Sequence, residues 1–224
     1  MSAPLDWLNS VLFTVLGQQV TVVEVIGFVA GALCLVGVTR QRLWSWPVGI
    51  LNNLAFLALF LGTGLYADAA LQVVFVLLGV YGWLSWGRRP KGAGPLLIRR
   101  ATGRQIAYGV VLTALGTVVV AFLLTTETDS AAAWPDAFIL SASLLATWTQ
   151  ARKLIEHWWV WIVVDAVSVP LYFAKGLWLN AVLFLAFLAL CVYGLARWTR
   201  ELRAATAGGV DEAALEDESE SLPV

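Results

Sequence analysis

Apolar blocks of 15–22 residues follow one another along nearly the whole chain, separated by short polar connections. A hydrocarbon core takes about 20 helical residues to cross. The pattern therefore predicts seven membrane-spanning helices, over residues 22–38, 46–62, 68–87, 105–125, 136–150, 158–174 and 177–198. A further apolar stretch, residues 7–16, is too short to cross and is expected to lie as an interfacial helix on the outer face. From residue 204 the chain turns small, polar and then acidic, and residues 200–224 are expected as a disordered cytoplasmic tail.

The pattern also contains a repeat. At a shift of 112 residues Arg40 falls on Arg152, Trp46 on Trp158, Asn53 on Asp165, Gly64 on Gly176, Tyr81 on Tyr193, Gly82 on Gly194 and Trp86 on Trp198. Two three-helix units result, joined by the fourth helix. An odd number of crossings lies between them, so both units start on the same side and are parallel repeats, an arrangement used by transporters. The expected organisation is an N-terminal segment (residues 1–21), a first repeat (22–87), a basic loop with the linking helix (88–132), a second repeat (133–199) and the tail (200–224).

Composition agrees with a lipid solvent. Of 224 residues 60% are hydrophobic and 13% charged, against about 45–50% and about 25% in soluble domains. A disulfide scaffold, a disordered protein and an ordinary cytosolic enzyme are excluded. The net charge of −1 gives no general attraction for nucleic acid. Thirteen of the fourteen Lys and Arg fall on alternate connections, with Lys175 alone on the other side. The positive-inside rule then places the N-terminus outside and the C-terminus in the cytoplasm, with no cleaved leader expected.

Few groups can carry chemistry. Asp165 lies halfway along the sixth helix on one face with Trp158, Trp161, Ser168 and Tyr172. A carboxylate at that depth is costly unless paired or hydrated. Beside flat aromatics and hydroxyls it suits an aromatic ring bearing a polyol, or else a structural hydrogen bond to a neighbouring helix. The second helix carries Trp46, Gly49 and Asn53 on its equivalent face, with Asn52 adjacent, and the third carries Gln72. The expected binding set is Trp158, Trp161, Asp165, Asn53, Gln72, Trp46, Tyr172 and Asn52. Gly27 and Gly31 form a GxxxG for packing within or between subunits. Cys34 and Cys191 sit in apolar runs and are expected as buried free thiols. No metal-ligand cluster, phosphate loop, or acid–base pair is present, so no metal, cofactor or enzymatic activity is expected.

Several of these motifs resemble one family. Trp46-Pro47-Val48-Gly49-Ile50, Leu65-Tyr66-Ala67-Asp68, Leu71-Gln72-Val73 and Tyr81-Gly82-Trp83 look like the first half of the PnuC vitamin transporters. The second half is similar in Trp134-Pro135-Asp136-Ala137, Ala151-Arg152-Lys153, Trp158-x-x-Trp161 with Asp165, and Lys175-Gly176-Leu177. The resemblance implies an all-α membrane protein with a SWEET-like three-plus-one-plus-three fold, a homotrimer in the inner membrane. It implies facilitated diffusion of an unphosphorylated vitamin precursor that a cytoplasmic kinase traps. Trp158 and Trp161 match the family's recognition motif. Nicotinamide riboside is the expected substrate, with riboflavin as the alternative because the chain also resembles the RibM riboflavin carriers.

Overall fold

A computed structural model describes residues 7, 10–15, 17–63, 66–87, 97–127 and 132–220. Residues 88–96 of the expected basic loop, and the extreme ends of the chain, lie outside the described residues. A short hairpin, β1 (Val11–Val15) and β2 (Gln18–Thr21), leads into seven helices. These are α1 (Val22–Thr39), α2 (Ser45–Thr63), α3 (Tyr66–Gly87), α4 (Gly103–Glu127), α5 (Ala133–Ala151), α6 (His157–Ala174) and α7 (Trp178–Glu220).

Local chemistry sets several boundaries. Thr21 and Glu24 form a capping box at α1, each satisfying a backbone N–H of the other. Thr102 and Gln105 do the same at α4: the Thr102 amide donates to Gln105 Oε1 at 2.9 Å and the Gln105 amide to Thr102 Oγ1 at 3.3 Å. Six of the helices are long and apolar enough to cross a membrane. The exception, α5, carries Ser141, Ser143, Thr149 and Gln150, all buried inside the bundle, so its polarity faces protein rather than lipid.

Two expectations fail at the ends. The stretch over residues 7–16 is not an interfacial helix but contributes β1, antiparallel to β2. Val11, Phe13, Thr14, Val15, Val20 and Thr21 are β-branched or aromatic, and Gly17 turns the chain at φ +84°. The hairpin braces the α6–α7 turn, where Gln18 bonds the Gly176 carbonyl and accepts from the Leu179 amide at 3.2 Å. At the other terminus, α7 continues as helix to Glu220 where a disordered tail is expected from residue 200. Ala204, Ala205, Ala207, Ala213 and Ala214 with neighbouring Glu and Leu are strong helix formers, and they prolong a helix already nucleated.

Helix packing closes a ring. α1 packs on α2, α2 on α3, α3 on α5, α5 on α6, α6 on α7 and α7 back on α1, while α4 packs on the outside of α5. The two junctions between the halves, α3 with α5 and α7 with α1, join positions that correspond under the 112-residue shift. Gly27 meets the Phe56 ring and Gly31 the Phe187 ring, so the GxxxG packs within the chain. The described parts of the cationic connections meet at one end of the ring. There the Arg99 amide donates to the Lys153 carbonyl at 3.1 Å and the Ile155 amide to the Arg99 carbonyl at 3.0 Å. At the opposite end Lys175 pairs with Asp136 at 3.0 Å.

Candidate functional site

The ring encloses a cavity of about 630 Å³, within the usual range of small-molecule sites. Every helix except α4 lines it. From α6 come Trp161, Asp165 and Tyr172, at helical spacing on one face. From α2 come Trp46, Gly49, Asn52, Asn53, Phe56 and Phe60, and from α3 Gln72, Phe75 and Gly79. Ser143, Thr147 and Gln150 form a polar stripe on α5, and Phe184, Phe187 and Cys191 an apolar wall on α7. Among the described residues no Lys or Arg lines the cavity.

Two groups give it chemical direction. Trp161 Nε1 donates to Gln150 Oε1 at 3.2 Å, which holds the indole plane against α5. Asp165 is 3% exposed, and its Oδ2 has no partner among the described residues. A buried acceptor left open beside a fixed aromatic ring can take a donor from a ligand; unpartnered, it costs about 1–3 kcal/mol. The Asn52 Oδ1 is likewise buried without a partner among the described residues, near Gly27 of α1.

Seven of the eight residues expected in the site line the cavity: Trp161, Asp165, Asn53, Gln72, Trp46, Tyr172 and Asn52. Trp158 does not. It is fully buried, its ring lying where a Cβ on Gly194 would come within 2.4 Å, edge-on to Trp198 at 5.7 Å and 4.4 Å from His157. Residues three apart on a helix share a face, but the Trp158 ring is taken up by packing against Gly194, His157 and Trp198, which leaves Trp161 alone of the two in the cavity wall. Trp46, the equivalent of Trp158, packs on Gly82 in the same manner, with a Cβ there meeting its ring at 2.2 Å. It still borders the cavity floor at 4% exposure.

The walls depart from symmetry where a ligand would lie. Trp161 corresponds to Gly49, Asp165 to Asn53, and Gln150 to Val38 under the 112-residue shift. One half supplies the ring, its support and the carboxylate; the other leaves space at Gly49. Reading the sequence missed the α5 stripe, although Ser143, Thr147 and Gln150 follow the four-then-three spacing of one helix face. The two thiols, expected as packing groups, border the cavity as well.

Comparisons with known proteins bear on the family and the fold. The family described as "Nicotinamide mononucleotide transporter" matches residues 21–200. The riboflavin/roseoflavin transporter RibM of Streptomyces davaonensis is 34% identical over 197 residues, covering 87% of this chain and 92% of RibM. The nicotinamide riboside transporter PnuC of Escherichia coli is 26% identical, covering 84% of this chain and 89% of that protein. A crystal structure of the vitamin B3 transporter PnuC superposes with a TM-score of 0.62 over 81% of this chain and 82% of that one, at 21% identity, which supports the fold. With the family matched over most of its length and the helical bundle shared, the chain belongs to the nicotinamide mononucleotide transporter family that includes PnuC and RibM, and it is a multi-pass membrane vitamin transporter rather than an enzyme.

Proposed function

We propose that this transporter carries riboflavin inward by facilitated diffusion, with phosphorylation in the cytoplasm trapping the product. The observation that carries this reading is the pairing of the Trp161 indole, fixed by Gln150, with the open Asp165 oxygen in a cavity large enough for a three-ring system and its tail. The flat ring system stacks on Trp161, and the ribityl hydroxyls donate to Asp165, Asn53 and Gln72. The sequence motifs lead to an expectation of nicotinamide riboside; the higher identity to RibM supports reading riboflavin first.

Nicotinamide riboside is the second reading. It is favoured by one feature: among the described residues no Lys or Arg lines the cavity beside the Asp165 carboxylate, and a pyridinium would supply a positive charge. A single intramembrane carboxylate gives no relay for protons or sodium, so movement follows the substrate gradient. The cationic end of the bundle faces the cytoplasm in this reading, with the N-terminus outside. The homotrimer that the resemblance implies belongs to the same proposal.

Liposomes holding the purified protein test it. Labelled riboflavin should enter down its gradient and should not accumulate under an imposed proton or sodium gradient. Entry of nicotinamide riboside alone would select the second reading, and entry of neither into liposomes of folded protein would refute both.

A further inference from the structure

We propose that a layer at the cationic end of the ring, latched by Gln41 and Lys153, is the cytoplasmic barrier of the transport path. The proposal rests on the transport reading above. Gln41 and Lys153 are the same position in the two repeats, 112 residues apart, yet they touch: Lys153 Nζ donates to Gln41 Oε1 at 2.6 Å. Two equivalent residues meet only where the axis relating the repeats passes, so this contact lies at the centre of the ring. Both have left-handed backbone, with φ 53° and 51°, which residues other than glycine rarely adopt. That conformation recurs because each turns the chain sharply after the first helix of its repeat and aims a side chain at the axis.

A second equivalent pair reinforces the first. Trp86 and Trp198 lie 6.2 Å apart across the same axis. Each indole N–H binds the end of the opposite half's first helix: Trp198 Nε1 donates to the Thr39 carbonyl and Trp86 Nε1 to the Ala151 carbonyl, both at 3.2 Å. The Lys153 ammonium lies 4.7 Å above the Trp86 ring, and Gln41 donates to Glu201 of α7. All four of these bonds and the cation–π contact join one half of the chain to the other. Val38 and Gln150, immediately before the helix ends that these indoles bind, line the cavity. The layer is therefore the floor of the cavity, and passage to the cationic side requires the two halves to part here. Its bonds are few and polar, and water can replace them once the halves separate.

The experiment uses the full chain in membranes and has two arms. In the first, Gln41→Cys and Lys153→Cys are combined in a Cys34→Ser, Cys191→Ser background. A reducible crosslinker joining the two thiols should lower riboflavin or nicotinamide riboside uptake at least tenfold, and reduction should restore it. Uptake unaffected by complete crosslinking overturns the proposal. The second arm needs no substrate, so it separates failure of the latch from failure of the transport reading. Cys34 lines the cavity, and in a Cys191→Ser background a membrane-impermeant maleimide reports access to it. In inside-out vesicles, Gln41→Gly and Lys153→Met should each raise its labelling rate severalfold, normalised to labelling in denaturant. Rates equal to the Cys191→Ser parent overturn the proposal.

Discussion

Replacing Gly194 by alanine should destabilise the bundle far more than its one carbon suggests. The added Cβ would lie 2.4, 2.5 and 2.6 Å from three carbons of the Trp158 ring, where carbon pairs rest at about 3.5–4.0 Å. Relief therefore needs a shift of about 1 Å. Trp158 has nowhere to go: it is fully buried between His157 at 4.4 Å and Trp198 at 5.7 Å. Overpacking of this kind costs about 1–3 kcal/mol, and a rigid neighbour puts it at the upper end, about 3 kcal/mol. Alanine returns up to about 1 kcal/mol in helix propensity, leaving a net loss of about 2 kcal/mol. For a chain of this size that lowers the melting temperature by about 4–8 °C. Gly82→Ala, whose Cβ would meet the Trp46 ring at 2.2 Å, should behave alike. Gly62→Ala is the control, since nothing lies within 4 Å of its Cβ. Thermal unfolding of the three variants in one detergent, followed by circular dichroism, measures the difference. Melting temperatures for Gly194→Ala and Gly62→Ala within a degree of each other would refute the packing argument.

Other variants separate the roles of the cavity residues. Gln150→Leu removes the acceptor for Trp161 Nε1 but keeps the backbone carbonyl, so ligand affinity should fall about 5- to 10-fold, equivalent to about 1 kcal/mol, with little change in melting temperature; titration by tryptophan quenching reads it. Asp165→Asn keeps the shape and removes the charge, so riboflavin binding should fall less than about 10-fold while nicotinamide riboside binding falls further; isothermal titration with both ligands checks the order. Gly49→Ala places its Cβ 3.5 Å from Cys34 Sγ, an ordinary contact. It should therefore leave stability unchanged and weaken ligand binding a few-fold by narrowing the space opposite Trp161.

The helices were legible because lipid-facing surfaces must be apolar, and long apolar blocks separated by charge have few other readings. That logic also found α5, whose expected extent of residues 136–150 lies within Ala133–Ala151, but it did not explain the polarity of that helix. Ser143, Thr147 and Gln150 make sense only once five neighbouring helices enclose a cavity. The N-terminal stretch is too short to cross a membrane, but its length does not choose between helix and strand; the β-branched residues around Gly17 do. Trp161 and Trp158 show the limit of a motif. Both indoles belong to one short signature, yet Gly194 admits one into the packing between α6 and α7, and the other is left facing the cavity. The glycines opposite each tryptophan, read at the 112-residue shift, marked which rings are wedges. The distinction between a wedge and a binding surface depends on contacts across 36 residues of sequence, which helical spacing within α6 does not contain.

In the proposed function the flat ring of the vitamin lies on the Trp161 face of the cavity and not on Trp158. Equilibrium binding of riboflavin and nicotinamide riboside to purified wild-type protein and to Trp161→Ala distinguishes the two, with melting temperature recorded alongside. Loss of a stacking partner is worth about 1–3 kcal/mol in comparable ring-binding sites. Trp161→Ala should weaken binding of the transported vitamin at least tenfold while the protein melts as the wild type does. Wild-type affinity in folded Trp161→Ala would contradict it.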